Sequence, residues 1–176
     1  DAPVTLLREQ YRCHPIIINF CNQKFYYGKL IVMTKDHDEP NVLAMYRTTA
    51  GNHARGHLNQ HQIDVIQQEV LPRLHQQNFE SIGIITPYRD QVTAIRRQLG
   101  DTYAVDTVHK FQGREQDAII LTSVDNVITD FVDDPHMLNV AVSRAVHSLA
   151  VVTSQDPRND RTNYGDLMRY IEYNNF

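Results

Sequence analysis

Apolar residues fall along this chain in two alternating rhythms. Short continuous runs, suited to strands buried on both faces, occur at Val4–Leu7, Val42–Tyr46, Ile82–Ile85, Tyr103–Val105, Ala118–Val124 and Leu149–Thr153. Between them lie segments whose apolar positions recur every three or four residues, the spacing of one helical face. Pro15 opens the first, which runs from Ile16 to Tyr27 and stops at Gly28. Asn59 caps the next, with Ile63, Ile66, Val70 and Leu74 on one side and an end near Gln77. Val92, Ile95 and Leu99 mark a third after Thr86-Pro87, Asp134 caps a fourth over Pro135–Ala145, and Tyr164–Tyr173 closes the chain. Thr48–His57, polar and holding two Gly, reads as a loop.

Strand and amphipathic helix in alternation predict an α/β fold: a mainly parallel sheet in three layers, with helices on both faces. The 176 residues suit one domain, and no repeat, low-complexity tract or linker divides them. In such folds ligands gather beyond the carboxyl ends of strands. That rule directs attention to Gln10–Pro15, to Thr107–Asp117 and to Asn139–Ala145, each lying just outside an apolar run.

Composition narrows the function classes. With 41% apolar and 22% charged residues, 7 Gly and 7 Pro, the chain is neither fibrous nor disordered. Seventeen Lys plus Arg against 21 Asp plus Glu give −4, so any nucleic-acid contact must be local rather than steered by a global field. Nine His make that charge sensitive to pH between about 6 and 7. No stretch approaches the roughly 18 apolar residues of a membrane helix, and no membrane partner is expected. Two cysteines, Cys13 and Cys21, make no disulfide framework, which points to a reducing, intracellular, cytoplasmic setting. The chain starts Asp1-Ala2-Pro3 without Met and reads as a piece of a longer polypeptide. His53, His57 and His61 are spaced four apart, the spacing of metal ligands on a helix face, but Gly51 and Gly56 break any helix and no Cys or carboxylate joins them, so a polar loop entering a capped helix is the reading.

Taken singly, the polar residues of the three segments are ordinary. Arg12 and Arg144 could be surface ion pairs, Glu115 a solvated carboxylate and Gly113 a turn residue. Taken in order, Gln10-Tyr11-Arg12-Cys13-His14-Pro15, Thr86-Pro87-Tyr88 with Gln91, Thr107–Asp117 and Asn139–Ala145 resemble the second RecA-like domain of superfamily 1 helicases. The subgroup is the one that moves 5′ to 3′ and includes senataxin and the nonsense-mediated-decay helicases. The resemblance runs from about Leu6 to Thr153.

It implies a P-loop NTPase-type fold and ATP with Mg2+ as cofactor. Arg12 and Arg144 would be catalytic arginine fingers, fixed forks for the charge that builds on the transferring phosphoryl oxygens. Tyr11 would stack on the base, Glu115 would accept hydrogen bonds from the ribose, and Gly113 would allow close backbone approach. Nucleic acid would be met by Thr86, Pro87, Tyr88, Thr107, Val108 and His109, with Thr86 capping a helix opened by Pro87 and its amides facing a phosphate. Tyr88 stacks on a base or packs against Val92, two readings of equal weight. The expected partners are single-stranded nucleic acid, DNA favoured over RNA, and an N-terminal RecA-like domain of the same chain.

Several positions depart from the family pattern. Cys13 replaces Met, Val146 stands where Lys is frequent, and Gln62 where Glu is frequent. His109, with Asp133-Asp134-Pro135 and Ser143, looks more like bacterial members, which tilts the track towards DNA. No Gly-x-x-x-x-Gly-Lys-Ser/Thr loop and no apolar run ending in Asp-Glu occurs, so the isolated domain is expected to be inactive and the magnesium ligands to lie on the N-terminal half. The rival reading is a non-catalytic RecA-like module that binds nucleic acid or a protein.

Overall fold

The computed structural model describes residues 10–28, 31–32, 39–49, 54–55, 57–111, 114–154 and 161–174. In chain order these form β1 (Gln10–Tyr11), α1 (Pro15–Phe25), β2 (Ile31–Val32), β3 (Leu43–Arg47), β4 (Ala54–Arg55) and β5 (Leu58–Asn59). There follow α2 (Gln60–Val65), a π-helical stretch Ile66–Val70, α3 (Leu71–Gln76), β6 (Ile82–Thr86) and α4 (Arg89–Leu99). The chain then gives β7 (Ala104–Thr107), a 3-10 turn Val108–Phe111, β8 (Gln116–Thr122), α5 (Pro135–Ser143), β9 (Ala145–Thr153) and α6 (Asn163–Asn174). The predicted strand at Val4–Leu7 lies outside the described residues.

Five strands form one parallel sheet in the order β3-β9-β8-β6-β7. Because successive side chains on a strand point to opposite faces, each continuous apolar run feeds two cores. Ile119 and Leu121 of β8, with Leu149 and Val151 of β9, pack among α1, α5 and α6. Ala118, Ile120, Ala150 and Val152 pack among α2, α3 and α4 on the other side. This is the three-layer arrangement that the pattern predicts. Short pairs stand apart from the main sheet, β1 with β2 in parallel and β4 with β5 antiparallel.

The caps behave as their residue types require. Asn59 Oδ1 accepts from the Gln62 amide at 3.1 Å, and Asp134 Oδ1 from His136 at 2.8 Å. Asp133 accepts from the Asn163 and Tyr164 amides, both at 3.0 Å, and starts α6. Among the described residues no helix is long and apolar enough to cross a membrane.

Candidate functional site

The structure divides the sequence-predicted residues between opposite ends of the sheet. Arg12, Glu115 and Arg144 lie at the amino end. Glu115 immediately precedes β8 and Arg144 immediately precedes β9, and the Gln116 amide donates to the Arg144 carbonyl at 2.9 Å. The segment after β1 is pinned to the same place: the Cys13 thiol donates to Ser143 O at 3.1 Å and the His14 amide to Val146 O at 2.7 Å. Arg12 is exposed. Arg144, the C-cap of α5, is half-buried, with Nη2 3.4 Å from Ser143 Oγ and a buried Nε that has no hydrogen-bond partner. Neither guanidinium forms an ion pair among the described residues. Burial pushes the Cys13 thiol up to about 12; Glu115 raises it further and Arg144 opposes the shift, so both charges act on this buried junction.

That location differs from the expectation of a site at the carboxyl ends. The Thr107–Asp117 segment leaves β7 at its carboxyl end and returns to the amino end of β8, so a single motif spans both edges. Of the remaining nucleotide candidates, Tyr11 lies in β1 with its backbone in register with Val32, its side chain outside the described set, and Gly113 lies outside the described residues. A cavity of about 480 Å³ also opens at the amino end, between His14, Glu39, Phe79, Asp117 and His147.

Thr86, Pro87, Tyr88, Thr107, Val108 and His109 gather at the carboxyl end, where Thr86 and Thr107 sit side by side in register. The predicted cap is not formed. The helix begins at Arg89, its N-cap is the extended Tyr88 without a side-chain cap bond, and Thr86 is fully buried with an unpartnered hydroxyl. The residue before a proline is excluded from helical backbone, which keeps Thr86 in the strand and carries the chain onward before it can turn. Pro87, Thr107 and Val108 are buried, while His109 is exposed.

Tyr88 packs at the margin of the core with ring neighbours that the sequence did not name. Its ring lies parallel to that of His57 (centroids 4.0 Å, planes 8° apart) and near that of Phe131 (5.7 Å, 19°). Its hydroxyl donates to Asp125 Oδ2 at 2.6 Å, and burial with that bond pushes the phenol up to about 12.

Beneath the rings lies a buried amide network that sequence reasoning missed. Gln62 Oε1 accepts from Thr122 Oγ1 at 2.5 Å and the Val124 amide at 3.0 Å, and Gln62 Nε2 donates to Ser154 Oγ at 3.1 Å. Asn59 Nδ2 donates to the Val124 carbonyl at 2.8 Å, while the Asn59 amide donates to Gln91 Oε1 at 2.9 Å. Val124 is thereby clamped at both backbone groups with φ 64°, a left-handed conformation that a β-branched residue resists. The sequence signals were a Gln beside an apolar helical face and Phe131 in an acidic loop, neither of which names its partners.

Comparison with known proteins gives a consistent picture. A family model described as an AAA domain matches residues 1–156. An uncharacterised ATP-dependent helicase of Caenorhabditis elegans is 28% identical over 98% of this chain and 13% of its own length. The 5'-3' DNA helicase ZGRF1 of Mus musculus is 29% identical over 95% of this chain and 10% of its own, and the Neurospora crassa homologue of regulator of nonsense transcripts 1 is 29% identical over 83% and 16%. The chain thus spans about a tenth to a sixth of the length of these relatives. Among solved structures, the C-terminal domain of a possible DNA helicase from Lactobacillus plantarum superimposes with a TM-score of 0.52 over 81% of this chain and 86% of that one at 16% identity, a likeness of fold. Among the described residues no group of three or more His, Cys, Asp or Glu is placed to hold a metal ion.

Proposed function

This chain belongs to the AAA domain family, and on that premise we propose that it is a C-terminal RecA-like domain of the superfamily 1 helicase type, the second motor half of an ATP-dependent helicase or translocase. It closes on an N-terminal RecA-like half around ATP and magnesium, the metal being held by that other half. Arg12 and Arg144 stabilise the charge on the transferring phosphoryl group, Tyr11, Gly113 and Glu115 receive the nucleoside, and the carboxyl end of the sheet meets a single strand. DNA is the favoured track, on the pattern of His109, Asp133-Asp134-Pro135 and Ser143.

One observation carries this reading: two guanidinium groups stand at one sheet end without a carboxylate partner among the described residues, one of them with a buried, unsatisfied Nε. A buried donor left unpaired is costly, and a chain that needed these cations only for stability would pair them. An incoming phosphate oxygen supplies the missing acceptor, and an arginine so placed is worth roughly 10³–10⁵ in rate.

The test is ATP hydrolysis by the intact parent chain, with and without single-stranded DNA or RNA, for wild type and Arg144→Ala. Turnover stimulated by one polymer, and lost on the order of 10³-fold in the variant with nucleotide binding largely kept, is the expected result. Unchanged stimulated turnover in Arg144→Ala contradicts the assignment. A parent chain without hydrolysis favours the binding-module alternative.

A further inference from the structure

We propose that His57, Tyr88 and Phe131 form a stacking platform that receives an unpaired base of the single strand; the proposal rests on the motor reading above and adds two residues that no helicase-like motif in this sequence contains. The three rings come from three separate places in the chain and meet face to face, with centroids 4.0 and 5.7 Å apart and planes within 8° and 19°. Rings brought together only by burial hide their faces. Here His57 is exposed and Phe131 retains 55% of its surface, with Val127, four residues earlier, at 75%.

The platform is built rather than incidental. His57 enters two residues before Asn59, and Phe131 leaves seven residues after Val124. Asn59 and Val124 are bonded to one another through Asn59 Nδ2, and both are tied to Gln62. Tyr88 is fixed from the same side by Asp125, the residue after Val124. Val124 is held at φ 64°, and such backbone strain persists where the surroundings over-determine a segment. From Val124 the chain runs on to Phe131, whose ring lies against that of Tyr88.

The local charge selects a base over a phosphate. Four aspartates lie between positions 124 and 134: Asp125 bonds Tyr88, Asp133 starts α6 and Asp134 caps α5, which leaves Asp130 exposed. A phosphate would be repelled there, whereas the π face of any base is accepted without regard to its identity. Thr86 and Thr107, at the ends of the neighbouring strands, place the platform on the same edge of the sheet as the proposed single-strand track.

Binding of the full parent chain to two fluorescently labelled oligonucleotides of equal length tests this: one of thymidines, the other with abasic sites replacing several central thymidines. Wild type should bind the base-bearing strand more tightly, on the order of tenfold per stacked base. Phe131→Leu, which keeps an apolar side chain but removes the π face, should abolish that preference while leaving affinity for the abasic strand and its salt dependence in place, and Phe131→Trp should restore it. His57→Ala should reduce the preference in the same sense. Equal weakening of both strands in Phe131→Leu, or an unchanged preference, overturns the platform and leaves the motor reading standing; the former would point to a face covered by another part of the parent chain. A parent chain that binds neither strand overturns both.

Discussion

At Gly83 the β6 backbone has a visitor. A Cβ added there would come within 2.6 Å of Phe111 Cζ and 2.9 Å of Gln116 Cγ, because these two side chains lie directly on this strand. Gly83→Ala is expected to destabilise the domain by about 1–3 kcal/mol, read as a lower urea midpoint, since Phe111 and the segment behind it must shift together. Gln62 makes the opposite demand, for a polar group in an apolar setting. Gln62→Leu would strand the Thr122 hydroxyl and the Val124 amide, at about 1–3 kcal/mol for each buried group left unsatisfied. A denaturation midpoint close to wild type would show that water enters and replaces the amide. The sequence placed Gln62 beside the helical face of Ile63 and Ile66, but its partners at 122, 124 and 154 are set by strand order, which single-residue patterns do not encode.

Among the elements, the helix following Asn59 shows what periodicity reads and what it overlooks. Its cap, its buried face of Ile63, Ile66, Val70 and Leu74 and its end near Gln77 all match the pattern. Its middle does not, because Ile66–Val70 is π-helical. Pro72 has no amide to give to the preceding turn and its ring crowds that carbonyl, so the turn ahead of it widens. The first helix stops at Phe25 rather than Tyr27, with Tyr27 at φ 52° and Gly28 at φ 79° as the amide of Gly28 bonds back to Asn22 O at 2.8 Å. Strand β9 is longer than its apolar run, starting at Ala145, because His147 and Ser148 are polar positions of a strand whose pairing continues past its core. Asp133 serves α6 as Asn59 serves α2. Asp133→Ala should cost about 0.5–2 kcal/mol, with hydrogen exchange rising first at Asn163 and Tyr164.

For the molecule as a whole, the alternation of apolar runs and amphipathic helices was enough to give three layers, since both faces of each strand had to be covered. The strand order was not legible, nor was the division of the candidate residues between two ends, because both depend on where crossovers travel. Several buried acids respond to alkali as a group. Burial pushes the Cys13 thiol from 9.0 to about 12 and the Tyr88 and Tyr170 phenols from 10.0 to about 12, and it drives Cys21 and Tyr164 upward as well. The unfolded chain releases these protons first, so their contribution is complete below the ordinary values of 9.0 and 10.0 and is lost as pH rises from there towards about 12. Thermal midpoints measured from pH 7 to 11 should hold level and then fall above about pH 9; a midpoint still level at pH 11 would show these groups ionising without unfolding.

The Gly83 contact also bears on how far apart events can be felt. Strand β6 is five residues long, roughly 16 Å, so no small ligand at Arg144 can touch anything bound at Tyr88. Thr107 and Glu115 stand at opposite ends of the sheet, and between them Phe111 is pressed against the bare backbone of Gly83 while its carbonyl accepts from the Arg114 amide at 3.3 Å. Any displacement of Phe111 must therefore be taken up by the strand beneath it, since a close-packed interior leaves no empty space to absorb the movement.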